Sequence, residues 1–101
     1  AILELGGKSA NIVMPDADLD NVMESVRWGI YFNAGQVCSA MSRVIAHEDV
    51  HDEIVDRCVA LAESLSVGPG IERPQFGANM GAMVSAGRRT KAPLSRQVAA
   101  G

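Results

Sequence analysis

The 101-residue sequence predicts an α/β layered fold with parallel strands, on three observations. Short apolar runs alternate with amphipathic stretches in the order strand, helix, strand, helix. The helical stretches hold ten or more residues, enough for a crossover between parallel strands and too long for a hairpin turn. A chain that is 48% hydrophobic and 21% charged, with only four aromatics among its 101 residues, supports one modest aliphatic core.

The elements follow from local chemistry. Ala1-Ile2-Leu3-Glu4-Leu5 reads as a strand already in progress, and Ala10–Met14 as a buried strand stopped by Pro15. Asp16, Asp18 and Asp20 suit a helix N-terminus, where carboxylates meet unpaired N–H groups. Leu19, Val22, Met23, Val26 and Ile30 then form the stripe of an amphipathic helix, ending near Asn33-Ala34-Gly35 because Gly35 is a natural left-handed stop. Val44-Ile45-Ala46 is a second short strand. Asp49 is the expected cap of a helix over about 50–66, whose stripe is Ile54, Cys58, Leu61, Ala62 and Leu65. Gly68-Pro69-Gly70 breaks it, and residues 66–81 are expected to form a long loop. A further helix is expected from Ala82 to Lys91, before Pro93. Trp28, Tyr31 and Phe32, at helical spacing ahead of Cys38, are expected in the core rather than along a channel to that thiol.

Charge and cysteine usage exclude several classes. Residues 1–72 carry twelve acids and four bases; residues 73–101 carry five bases and no acid. That tail (Arg73, Arg88, Arg89, Lys91, Arg96) holds one aromatic, Phe76, and so lacks the stacking surface of a single-strand binder. We expect no nucleic-acid partner. No run of about 18 apolar residues is present to cross a bilayer, and no membrane partner is expected. Cys38 and Cys58 form no disulfide framework and are expected as reduced thiols in a cytoplasmic compartment. Because the chain starts at Ala1 with a strand under way, we expect it to be a piece of a longer polypeptide.

Four motifs carry chemistry. Gly6-Gly7-Lys8-Ser9 ends like a phosphate loop, but Ile2 stands where the first glycine is required. No G-x-G-x-x-G exists either, since Gly68 and Gly70 are followed by Arg73, so no dinucleotide-binding domain is expected within 1–101. His47-Glu48-Asp49-Val50-His51 matches H-E-x-x-H, which on a helix aims two imidazoles at zinc. With a helix starting near Val50, His47 falls outside it. Two surface histidines are the plainer reading, a zinc metallopeptidase using His47 and His51 the alternative, and no metal site is expected. Cys38, among small residues just past a helix stop, is open to two readings: a small buried hydrophobe or an approachable nucleophile. Glu4 is likewise either a solvent-facing strand residue or a carboxylate in a cleft.

Read together, Leu3-Glu4-Leu5-Gly6-Gly7-Lys8-Ser9 and Phe32-Asn33-Ala34-Gly35-Gln36-Val37-Cys38, with Cys38 placed 34 residues after Glu4, closely resemble the two signature blocks of the aldehyde dehydrogenase superfamily. Asn11-Ile12-Val13, Asp16-Ala17-Asp18-Leu19 and Arg43-Val44-Ile45 extend the resemblance over roughly residues 1–85. Ala10, Met41 and Ala82 depart from the family's common residues, and from about Gly87 the match decays. The block around Cys38 is most similar to members acting on betaine aldehyde and related aminoaldehydes.

The resemblance implies a partial three-layer catalytic domain of parallel strands and flanking helices, spanning 1–101, in a parent enzyme that oxidises a small-molecule aldehyde with NAD or NADP. It implies a parent that is a homo-oligomer, a dimer or tetramer. Cys38 matches the family nucleophile, which passes through a thiohemiacetal and a thioester, and Glu4 the general base. Gly6 matches a position whose backbone amide lies beside the nicotinamide, and the Cys38 N–H an oxyanion donor. The cofactor is expected to be held mainly by an upstream domain, so the isolated 101 residues are expected to be inactive. An inactive truncated fragment is the other alternative.

Overall fold

The computed structural model describes residues 1–69 and 79–87. Its elements are β1 (Ala10–Val13), α1 (Leu19–Val26), β2 (Arg43–Ala46), α2 (Glu48–Ser64), β3 (Ser66–Val67) and β4 (Asn79–Met80). Strands β1 and β2 pair in parallel, in the register Ala10–Arg43, Asn11–Val44, Ile12–Ile45 and Val13–Ala46. The connection between them runs through α1, as a parallel pair requires. The ladder continues past both ends, with Arg43 N–H on the Ser9 carbonyl at 3.4 Å and His47 N–H on that of Val13 at 2.9 Å. A second parallel pair, β3 with β4, follows α2. The α/β fold class with parallel strands is therefore observed.

Helix α1 starts where the acids placed it. Asp18 has extended backbone, and its carboxylate accepts from the N–H groups of Asp20 and Asn21 at 3.0 and 3.3 Å. The helix ends earlier than its apolar stripe implies. Regular α geometry stops at Val26, and Arg27–Tyr31 forms a single wider π turn. Helix α2 begins slightly before the expected position, and its cap is His47 rather than Asp49: His47 Nδ1 accepts from the Asp49 N–H at 3.2 Å. Asp49 thus lies inside the first turn, where its charge still opposes the positive end of the helix dipole.

Val13, Val26, Ala40, Ile54 and Leu61 form the core. Val13 closes β1, Val26 closes α1, and Ile54 and Leu61 lie on the inner stripe of α2. The strand over Ala10–Met14 is less buried than expected, because helices cover only one face of a two-stranded sheet: Ile12 and its partner Ile45 are 67% and 49% exposed. The first five residues form no strand, since none pairs with them among the described residues, and residues 1–9 are exposed throughout. Trp28 and Phe32 are also outside the core, at 44% and 47% exposure; their rings meet tilted at 6.0 Å between centroids. Tyr31 is half-buried, with its hydroxyl pKa raised by desolvation and by the nearby Cys58. Cys58 is half-buried on α2, and burial pushes its thiol pKa up.

Part of the expected loop over 66–81 is the β3–β4 pair, and its segment 70–78 lies outside the described residues. In the expected helix over 82–91, residues 82–85 are not helical and helical backbone begins at Ala86; residues 88 onward, with Arg88, Arg89, Lys91 and Arg96, lie outside the description, as does Arg73.

Two stability effects follow. Asp18→Ala removes a capping acceptor and should destabilise the chain by about 1 kcal/mol, read from the urea midpoint, whereas Asp18→Asn should lose only a fraction of that. Gly35 has φ +73° and a Cβ built there meets the Ile30 carbonyl oxygen at 3.1 Å. Gly35→Ala should therefore cost about 1–2 kcal/mol, measured the same way.

Candidate active site

The loop carrying Cys38 begins where the π turn ends. Phe32 is extended, and Asn33, Ala34 and Gly35 then lie in the left-handed region at φ 50°, 56° and 73°. Glycine takes that conformation freely and asparagine tolerates it, but alanine does so at a cost. Reciprocal hydrogen bonds hold the reversal. Gln36 N–H and Gln36 Nε2 donate to the Asn33 carbonyl at 3.1 and 3.4 Å, and Asn33 Nδ2 donates to the Gln36 carbonyl at 3.2 Å.

Beyond Cys38 the chain returns against its own helix. Ala40 N–H donates to the Val37 carbonyl at 3.1 Å, and Met41 N–H to the Gly29 carbonyl at 2.8 Å. Gly29 allows this approach, since a Cβ there would stand 2.5 Å from Met41 Cε and 3.3 Å from Met41 Cβ. Cys38 sits at the exposed turn of this pinned loop. Its N–H makes no hydrogen bond among the described residues.

The segment bearing Glu4 reaches the same place by another tether. Besides the ladder bond from Arg43 N–H to Ser9, Arg43 Nε donates to the Lys8 carbonyl at 2.9 Å. Residues 4–8 thereby line one wall of a cleft of about 890 Å³, and Asn33 and Gly35–Cys38 line another. Ala82 and Val84 supply a third, joined to the loop by Val84 N–H donating to Gln36 Oε1 at 3.2 Å. Glu4, Gly6 and Cys38, singled out from sequence, all line this one cleft. It brings together a thiol, a carboxylate and an unengaged backbone N–H.

The histidines lie elsewhere. His47 stands outside α2 as its cap, and His51 Nδ1 contacts Asp52 Oδ1 at 2.9 Å. No group of three His, Cys, Asp or Glu side chains suited to a metal forms among the described residues. Sequence reasoning quoted Gln36 and Arg43 without giving them a task; their bonds span 48 and 35 residues and have no local signature.

Comparison with known proteins agrees with the resemblance and extends it. The model of the aldehyde dehydrogenase family matches residues 1–97, further than the signature blocks carried it. A mitochondrial aldehyde dehydrogenase of Leishmania tarentolae is 53% identical over 83 residues, covering 82% of this chain and 16% of that protein. The structure of betaine aldehyde dehydrogenase from Staphylococcus aureus in complex with NAD+ superposes with a TM-score of 0.77 at 34% identity, over 87% of this chain and 17% of that one. An aldehyde dehydrogenase of Bacillus cereus gives a TM-score of 0.76 at 39% identity, over 86% and 17%. The chain thus spans about a sixth of the length of these relatives, and over nearly all of its own length it belongs to the aldehyde dehydrogenase family.

Proposed function

We propose that this chain is the nucleophile-bearing part of an enzyme that oxidises an aldehyde to a carboxylic acid with NAD or NADP. The shared cleft of Cys38 and Glu4 is the observation that carries this reading.

Cys38 gives its thiol proton to solvent water and its Sγ attacks the aldehyde carbon; a C–S bond forms, and the carbonyl π pair moves onto oxygen. The Cys38 N–H donates to that oxyanion. The carbon then loses hydride, the oxygen lone pair re-forms the carbonyl, and a thioester remains on Cys38. A nicotinamide cofactor, when bound, supplies the hydride acceptor. Glu4 takes a proton from water, whose oxygen attacks the thioester carbon. The C–S bond breaks, Glu4 returns its proton to the departing sulfur, and the acid and the Cys38 thiol are released. A thiol suits both halves, since it adds readily to carbonyls and departs readily from thioesters.

The described residues fit the reactive end of such a cofactor. Gly6 and Gly7 line the cleft, and a Cβ built at either meets no atom within 4 Å, so the backbone there is open to a flat ring. Gly6 is the residue we assign to that contact. With no glycine-rich phosphate motif in the sequence, the pyrophosphate has no such grip here. The bound NAD+ of the Staphylococcus aureus relative supports the assignment of cofactor class. An aldehyde is the substrate class we assign, and the parent enzyme is a homo-oligomer on this reading.

An activated ester tests the two residues without any cofactor. p-Nitrophenyl acetate should acylate Cys38 of the 101-residue chain and release p-nitrophenolate, and Cys38→Ser should abolish that labelling. Glu4→Gln should leave acylation intact and slow hydrolysis of the acyl group, followed by mass spectrometry, by about 100-fold. Equal acyl lifetimes in the two proteins would exclude Glu4 as the base. With NAD or NADP and acetaldehyde or betaine aldehyde, the 101-residue chain alone should produce no absorbance rise at 340 nm, because hydride transfer needs a positioned cofactor.

A further inference from the structure

Gln36 has every polar atom engaged. Its N–H and Nε2 donate to the Asn33 carbonyl, its own carbonyl accepts from Asn33 Nδ2, and its Oε1 accepts from the Val84 N–H at 3.2 Å. The first three bonds close the left-handed reversal two residues before Cys38. The fourth crosses 48 residues of sequence and joins the Cys38 loop to Ala82–Val84. Both of those segments line the cleft that Glu4 also lines. A glutamine suits this position because an acceptor and a donor sit on one planar group at the end of a two-methylene arm. Leucine or methionine at the same reach would fill the space and leave the Val84 N–H without its partner.

We infer that Gln36 is a positioning residue, whose carboxamide latches the Cys38 loop to the Ala82–Val84 wall and so sets how large a carbonyl compound reaches the thiol. The inference rests on the cleft being the active site, and it adds a size-selecting element that neither Cys38 nor Glu4 supplies. Val84 is itself 79% exposed, so packing does little to hold this wall in place and the hydrogen bond matters correspondingly more.

The test uses the 101-residue chain carrying Cys58→Ser, so that Cys38 is its only thiol, with Gln36→Met and Gln36→Glu added separately. Both variants lose the 3.4 Å donation from Nε2 to the Asn33 carbonyl; methionine also loses the acceptor, whereas glutamate keeps an acceptor oxygen for the Val84 N–H, so the pair isolates the latch. Hydrogen exchange at the Val84 amide reports the latch. It should quicken about tenfold in Gln36→Met and stay near the parent rate in Gln36→Glu. Alkylation of Cys38 by N-methylmaleimide and by N-(1-pyrenyl)maleimide reports the opening. The small-to-large rate ratio should fall about fivefold in Gln36→Met and be rescued in Gln36→Glu. A general loosening of the chain would change both rates together and would not be rescued. Unchanged Val84 exchange in Gln36→Met, or an unchanged ratio despite faster exchange, would overturn the inference. Maleimides label any accessible thiol, so this result stands apart from the ester test: loss of ester acylation alone removes the catalytic reading, and an unmoved size ratio alone removes the role of Gln36.

Discussion

A thiol near the end of a helical stretch can share a cleft with a carboxylate from a segment 34 residues earlier only if the chain reverses sharply between helix and strand. Here Asn33, Ala34 and Gly35 make that reversal in the left-handed region, and the rest of the site depends on it. Without it, the polypeptide leaving the π turn would continue away from the start of β2. With it, Met41 reaches the Gly29 carbonyl, Arg43 enters β2, and Cys38 is left at a turn between two anchored points. The strained alanine in the middle is maintained by the reciprocal bonds of Asn33 and Gln36, the pattern expected where a conformation is imposed by its surroundings.

The parallel pairing of β1 with β2 supplies the second constraint. It carries Lys8 and Ser9, just before β1, up against Arg43 at the start of β2, and it is Arg43 that ties down the otherwise exposed Glu4-bearing segment. The scaffold behind this arrangement is thin. A core resting on Val13, Val26, Ala40, Ile54 and Leu61 leaves Ile12 and Ile45 uncovered on the open sheet face, and Val55 and Val59 half-exposed on α2. Parallel sheets are ordinarily buried on both faces, whereas the β1–β2 pair has one face open.

How much of this was legible depended on whether the cause was local. Asp18 at a helix start, the left-handed backbone of Gly35 and the short apolar runs of β1 and β2 are dictated by neighbours in sequence, and they appear where the pattern placed them, although the α-helix itself stops at Val26. The cap of α2 was displaced by two residues because a histidine with extended backbone offers the same acceptor as the aspartate that follows it. The π turn had no signature, since its apolar spacing reads equally well as continued α-helix. Exposure of Trp28 and Phe32 was illegible for a different reason: an aromatic at helical spacing reports that a face is apolar, and only the presence of a covering layer makes it core. Cys38 and Glu4 could each be read two ways when taken singly. Their pairing became visible through the two signature blocks, whereas Gln36 and Arg43, which act through contacts spanning 48 and 35 residues, were left without a role.

That one carbonyl carbon is served by both the sulfur and the carboxylate is the centre of this account. A crystal structure of the chain with Cys38 carbamidomethylated tests it most directly, because the adduct holds a carbonyl one methylene from the sulfur. The adduct should fold into the cleft, with its carbonyl beside the Cys38 N–H and the Glu4 carboxylate about 2.6–3.2 Å from a water that itself contacts the adduct. An adduct extended into solvent, with Glu4 turned away and no water between them, would contradict it.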